Sequence, residues 1–230
     1  MSDPIHLKVA LVVKGAFDSG LVQDFVVSTG IDVEIDWAPT TVILADIENG
    51  ARPDGVIITN GALNNLVDRG LMNSEDIIPV VSSRIGVGVR AGSQHPDIAT
   101  VKSFILTLTS ARSVAYSLGG QSGLYFGPLL DRLGIAEGVN AKATLIPAGF
   151  TGEKLLTGEA DIAIQQISEL KAVQGVEVVG GLPDEVQKVT AFSGAPLSES
   201  VLRKDVLRFL NFLSCKGAVE RFSQFGLDPR

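Results

Sequence analysis

Apolar runs of strand length alternate along this chain with stretches whose apolar positions recur at helical spacing. Residues 7–13 predict a buried strand, and residues 14–19 a turn into a helix carrying Leu21, Phe25 and Val26. Residues 31–37 alternate apolar and acidic positions, as a half-buried strand does. Residues 41–49 predict a helix that Gly50 and Pro53 bring to a stop. A short buried strand follows at 55–58, and Thr59-Asn60-Gly61-Ala62 turns it into a helix through Leu63, Leu66, Val67 and Leu71. Such alternation implies parallel sheets with right-handed crossovers, and ligands of such sheets bind beyond the carboxyl ends of the strands.

The pattern changes at Ile85-Gly-Val-Gly-Val-Arg-Ala-Gly, which follows a strand-like 77–81 and is too glycine-rich for an ordinary core strand. A second strand–helix series then runs through 113–117, a helix to about 135, a strand at 143–146, a helix after Thr151-Gly152-Glu153, and 161–165. An extended segment at 189–193 precedes a helix pair at 200–213 and 216–225. The economical reading is an α/β protein of two lobes, each a mostly parallel sheet flanked by helices. Residues 1–84 plus 193–230 form a discontinuous first lobe and 85–192 the second. Two crossings make a hinge, with a ligand cleft between the lobes.

The stretch 113–126 carries the strongest chemical signal. An apolar run ends in Tyr116 and Ser117, then Gly119-Gly120-Gln121-Ser122-Gly123 leads into a helical pattern. The start of a helix leaves backbone N–H groups unpaired and bears partial positive charge. Glycines let a ligand approach, and Tyr116, Ser117, Gln121 and Ser122 add side-chain donors, which together make an anion seat. The plain alternative is an ordinary strand–turn–helix connection with Ser122 as N-cap. Similar turns elsewhere in the chain favour the seat.

Composition narrows the function classes. The 230 residues are 45% hydrophobic and 20% charged, the length and content of a well-packed globular chain. A net charge of −7 without a basic run disfavours nucleic acid. The lone Cys215 excludes an internal disulfide and sits in a helical pattern as a buried thiol, and His6 and His95 form no metal-ligand spacing. No metal or cofactor is called for. No apolar stretch reaches the ~18 residues of a membrane span. The N-terminus has no signal-like apolar core, so the chain is cytoplasmic unless a leader was removed, in which case it is periplasmic.

Five segments, in this order, carry a resemblance: residues 55–71, Ile85-Gly-Val-Gly-Val-Arg-Ala-Gly, Ser113-Val-Ala-Tyr-Ser, Leu133-Gly-Ile-Ala-Glu and Leu156-Thr-Gly-Glu-Ala-Asp-Ile-Ala-Ile-Gln-Gln. Together they resemble the type 2 periplasmic-binding-protein superfamily, in its molybdate-binding-like branch, over nearly the whole chain. That resemblance implies a hinge-closing, monomeric protein that holds a small anion or carboxylate on helix N-termini and hydroxyls, with the membrane component of an ABC transporter as partner. Carried over by position, the ligand meets Lys14, Gly15 and Ala16, then Thr59, Asn60 and Gly61, then Tyr116, Ser117, Gly120 and Ser122, and finally Gln165 and Gln166. Lys14-Gly-Ala-Phe stands where molybdate binders carry small hydroxyl residues, and a lysine suits a carboxylate at least as well as a tetrahedral oxyanion.

Each residue also has a plainer use. Lys14 can be a solvated helix-start residue, Tyr116 a half-buried core aromatic, and Arg90 half of a structural ion pair. Side chains alternate along a strand, so only one of Gln165 and Gln166 should face a ligand. Two function classes follow from the resemblance. One is a solute-binding protein serving a transporter. The other is a cofactor-independent isomerase of an unsaturated polycarboxylate, similar to aconitate isomerase, with Lys14, Tyr116 and Asp18 as candidate proton-transfer groups.

Overall fold

The computed structural model describes residues 3–230. The chain divides into two compact units, one running up to Ser82 and resuming at Thr190, the other Ser83–Val189.

The first unit opens with β1 (Ile5–Val9), a 3-10 turn at Leu11–Val13, α1 (Lys14–Ala16), a π-turn at Phe17–Leu21 and α2 (Val22–Thr29). Then come β2 (Val33–Trp37), α3 (Thr40–Glu48), β3 (Gly55–Thr59), α4 (Asn60–Asp68) and the start of β4 (Ile78–Arg90). β1 is central and parallel to both β2 and β3. The apolar run at 7–13 is therefore not one strand: it leaves the sheet after Val9 and turns helical at Leu11. A continuous apolar run suits a buried strand and a buried helix start equally, and Val12 and Val13 are buried in the helical form.

The second unit holds the rest of β4, α5 (Val101–Ser110), β5 (Val114–Ser117), α6 (Gln121–Arg132), α7 (Ala136–Asn140), β6 (Thr144–Ile146), α8 (Glu153–Leu156), β7 (Ile162–Gln166), α9 (Ile167–Lys171) and β8 (Val176–Gly181). β5 is parallel to β6 and β7, while β4 runs antiparallel to β7 and β8. The glycine-rich segment lies inside β4, a continuous strand of 13 residues. Its glycines serve packing: a Cβ on Gly86 would come within 2.6 Å of Ile167, and one on Gly88 within 2.9 Å of Leu170, so α9 lies directly on the strand backbone. β9 (Val189–Pro196) returns the chain to the first unit and pairs antiparallel with β3. α10 (Arg203–Phe212), α11 (Lys216–Gln224) and β10 (Asp228–Pro229) complete that unit.

In the first unit one apolar layer joins β1 to Phe25, Phe209 and Phe222, and another packs Ile43, Ile47, Leu63 and Leu66 against β3. Tyr116, Phe104, Phe126 and Leu130 form the main core of the second, with Ala115, Leu155, Ala163 and Leu170 on the sheet's other side. Burying these side chains, each contributing about 1.5–3 kcal/mol, fixes the register of the strands whose ends carry the candidate residues. Cys215 is half-buried at the N-cap of α11 rather than inside a helix, because the two terminal helices break just before it.

Candidate functional site

Every strand that is parallel to a neighbour in these units ends in a turn, and buried polar groups gather there. In native proteins more than nine in ten buried polar groups find a hydrogen-bond partner, so the exceptions are informative. Among the described residues, buried side chains with an unpaired polar atom are Thr40, Ser83, Ser117, Gln166 and Ser168. Thr40 opens α3 just after β2. Ser117 ends β5, Gln166 ends β7, and Ser168 lies in the first turn of α9. Ser83 precedes by two residues Ile85, which pairs with Gln166.

In the second unit, β5 and β7 are adjacent and parallel, so Ser117 and the glutamine pair share one end of the sheet. α6 begins there, with Gly120 as extended N-cap, so Ser122 is the second residue of the helix and not its cap. The turn is tight enough to demand glycine. A Cβ on Gly123 would lie 1.6 Å from the Ser117 carbonyl oxygen, and one on Gly120 2.6 Å from Ser117 Oγ. The helix N-terminus is thereby folded back over Ser117, whose hydroxyl is buried with no partner.

Gln165 and Gln166 divide as strand alternation requires. Gln165 Oε1 accepts from the Thr151 backbone N–H at 2.7 Å and from Thr151 Oγ1 at 2.9 Å. Its Nε2 donates to the Gly149 carbonyl at 2.9 Å. Gln165 thus ties the β6–α8 loop to the end of β7. Gln166 is the N-cap of α9, and neither its Nε2 nor its Oε1 has a partner.

Glu169 is the residue the sequence reading did not single out. Its Oε2 accepts from the Gln166 backbone N–H at 3.3 Å, closing the first turn of α9. Burial dominates its chemistry and pushes the carboxyl from the ordinary 4.5 up to about 8, against the opposing pull of hydrogen bonds from Gln166 and Gln165. It is a neutral acid at pH 7. A glutamate three residues after a polar cap reads in sequence as an exposed capping box, and nothing in one dimension reveals that this one is buried.

Tyr116 faces the core, edge-on to Phe126 with ring centroids 5.1 Å apart, and its hydroxyl donates to Asn140 Oδ1 at 2.7 Å. Burial and then Asp131 raise its phenol above the usual range, so it holds its proton at neutral pH.

In the first unit, α4 begins at the end of β3 with Thr59 as extended N-cap. Asn60 Oδ1 accepts from the buried Ser193 hydroxyl at 2.8 Å, which orients the Asn60 amide. Gly61 is exposed, with open space where a side chain would stand. Lys14, Gly15 and Ala16 are not the turn after β1. That turn is Ala10–Val13, and Ala16 is buried in the core. The Lys14 ammonium lies 2.7 Å from Asp18 Oδ2 and 5.0 Å from the Trp37 ring centroid. Lys14 and Asp18 are thus brought together, while Tyr116 belongs to the other unit's core. Among the described residues no three His, Cys, Asp or Glu side chains gather as a metal site, and no helix is long and apolar enough to cross a membrane.

Known proteins share this organisation. A family model described as bacterial extracellular solute-binding protein matches residues 8–228. The chain is 35% identical over 208 residues to an aconitate isomerase from a Pseudomonas species, covering 88% of this chain and 79% of that protein. Its fold matches the periplasmic molybdate-binding protein of Azotobacter vinelandii with TM-score 0.80 at 16% identity, over 97% of this chain and 98% of that one. A sulfate-binding protein of Mycobacterium tuberculosis matches with TM-score 0.76 at 17% identity, over 99% and 87% of the two chains. At such identities the structural likeness speaks for the fold alone. The α/β fold and the match along nearly the whole sequence place this chain in the bacterial extracellular solute-binding protein family.

Proposed function

We propose that this protein binds a small organic polycarboxylate on the turns at the carboxyl ends of its parallel strands. The observation that carries the reading is the buried Ser117 hydroxyl, a donor without an acceptor beneath the N-terminus of α6, with the unpartnered amide of Gln166 at the end of neighbouring β7. An anion supplies several acceptors at once and is favoured by the helix N-terminus. Ser122 and Gly120 belong to that turn, while Thr59, Asn60 and Gly61 form a comparable seat at α4. The Lys14–Asp18 pair supports the reading only indirectly, because the ammonium is already neutralised.

A polycarboxylate is preferred over molybdate or sulfate because the 35% identical relative is an aconitate isomerase. The same likeness favours a second reading, in which the bound tricarboxylate is isomerised by an allylic proton shift. As a binding protein, the chain would serve an ABC transporter's membrane component outside the cytoplasm, in keeping with the family's name.

A thermal-shift screen with molybdate, tungstate, sulfate, phosphate, citrate, cis-aconitate and trans-aconitate, each tested alone, decides the ligand class. A ligand at a hundredfold excess over Kd stabilises the folded state by about 2.7 kcal/mol. Stabilisation by the tricarboxylates alone supports the reading, and stabilisation by the tetrahedral oxyanions alone overturns it. Proton NMR of trans-aconitate incubated with the protein separates the two functions: appearance of the cis isomer marks an enzyme, and binding without turnover a carrier.

A further inference from the structure

A second cavity lies at the opposite end of the second unit's sheet from the Ser117 turn. It holds about 820 Å³, the size of a site for a small organic molecule, and is lined from the end of β4, the turn before β5 and the start of β7. Its floor is apolar: Val89, Leu155, Ala160 and Ile162 are buried there, and Leu106 of α5 stands beside it 65% exposed. One wall is the loop 91–100, longer than the roughly 4–6 residues of an ordinary connection. The loop is tied down on both sides, by His95 to Glu177 at 3.1 Å and by Thr107 Oγ1 donating to the Asp97 carbonyl at 2.8 Å. Of the charged residues lining the cavity, Arg112 and Asp161 neutralise each other at 2.8 Å, and Asp97 Oδ1 accepts from the Ala99 N–H at 3.0 Å. Arg90 is exposed, and among the described residues its guanidinium has no hydrogen-bond or ion-pair partner. The structural ion pair that would be its plainer use is not made.

We propose that this cavity is a second ligand site, separate from the strand-end seat, and that it takes a monocarboxylic acid with an apolar body. Charge sets the head group. One uncompensated guanidinium matches one carboxylate, whose two oxygens fit its parallel N–H groups. The Ser93 N–H bonds the Arg90 carbonyl at 3.0 Å, and this turn brings Ser93 and Gln94 to the same cavity as neutral donors beside Arg90. The floor sets the body. Val89, Leu155, Ala160 and Ile162 offer no polar side-chain atom, so a hydrocarbon displaces water that they hold poorly and also covers part of Leu106. Asp97 lines the cavity too, and its charge works against a second carboxylate on the ligand. That repulsion separates this ligand from the polycarboxylate of the seat. The site goes beyond the function proposed above and does not depend on it.

The test is calorimetric titration of the full chain with hexanoate, octanoate and decanoate below their micelle concentrations, and with octan-1-ol as the uncharged control. Each methylene buried on the floor should tighten binding about three- to fourfold. Arg90→Gln should weaken octanoate about tenfold or more and leave octan-1-ol as it was, which also shows that the cavity is intact. Leu106→Ser should weaken both ligands. Amide shifts on adding octanoate, followed by NMR, should centre on residues 89–112 and 155–162. Four results would overturn the proposal: no binding of octanoate at millimolar concentration, affinity independent of chain length, octanoate affinity that Arg90→Gln leaves unchanged or lowers no more than that of octan-1-ol, and shifts centred on residues 117–123. None of them touches the strand-end seat, whose own test is the screen with tricarboxylates and oxyanions.

Discussion

Replacing Glu169 with glutamine should stabilise the free protein, and the gain should depend on pH in a way that follows from burial. The folded-state pKa of about 8 lies above the ordinary 4.5. Between those values the folded chain holds a proton that the unfolded chain has released, so folding stability falls as pH rises. Below pH 4.5 both states are protonated and no penalty exists. At about 1.4 kcal/mol per pH unit, the penalty reaches about 3 kcal/mol at pH 7 and levels off near 5 kcal/mol above pH 8.

Glutamine at this position is neutral in both states and escapes the whole effect. Urea unfolding of both proteins, without ligand, at pH 5, 7 and 8.5 gives the comparison, with fluorescence and circular dichroism as separate probes of the two units. The expected result is near equality at pH 5 and a variant more stable by about 3 kcal/mol at pH 7 and about 4–5 kcal/mol at pH 8.5. Taking the difference between pH 5 and pH 8.5 removes any fixed change in hydrogen bonding from the substitution. A variant whose advantage does not grow with pH would refute the reasoning. Loss of stability that worsens at high pH would show an ionised Glu169 acting as an ordinary helix cap.

Ser117→Ala removes a buried hydroxyl without a partner, so stability should hold or rise slightly, while affinity for the ligand found in the screen should fall about 5–10-fold for a lost hydrogen bond of about 1–1.5 kcal/mol; unchanged affinity would place the seat elsewhere. Gly123→Ala forces a methyl to within 1.6 Å of the Ser117 carbonyl and should lower the melting temperature and weaken binding together, whereas a variant matching wild type would mean the turn relaxes freely. Tyr116→Phe loses the bond to Asn140, about 1 kcal/mol of stability, and should leave both Kd and any isomerisation rate unchanged; a large loss of turnover would make Tyr116 a catalytic group after all. Lys14→Met should change stability by less than about 1 kcal/mol, as expected for a partly exposed ion pair, and should raise Kd little because Asp18 already neutralises the ammonium. Loss of turnover with binding retained would instead assign Lys14 the proton transfer.

The strand–helix alternation was legible because burial imposes periods of about two and about 3.6 residues that survive in one dimension. The α6 seat was legible for a related reason. Gly120 and Gly123 are fixed by close approach to Ser117, so a local steric demand wrote itself into local sequence. The failures share the opposite cause. The run at 7–13 satisfies a buried strand and a buried helix start alike, so the first turn was displaced onto Lys14, whose real neighbours are Asp18 and Trp37. Gly86 and Gly88 made the segment look too glycine-rich for a core strand, yet they admit Ile167 and Leu170, residues some 80 positions away that no local window contains. Glu169 is the clearest case. Gln166-Ile-Ser-Glu169 has the spacing of a solvent-exposed cap, and the spacing is honoured by the 3.3 Å bond from the Gln166 N–H. What turns a routine cap into an acid that is neutral at pH 7 is burial without a counter-ion, and burial depends on the surrounding β4, β7 and β8. A strand-end carboxyl is therefore unreadable as chemistry until the sheet beneath it is known. At this end of the sheet the same enclosure that lifts the Glu169 pKa leaves the Ser117 hydroxyl without an acceptor.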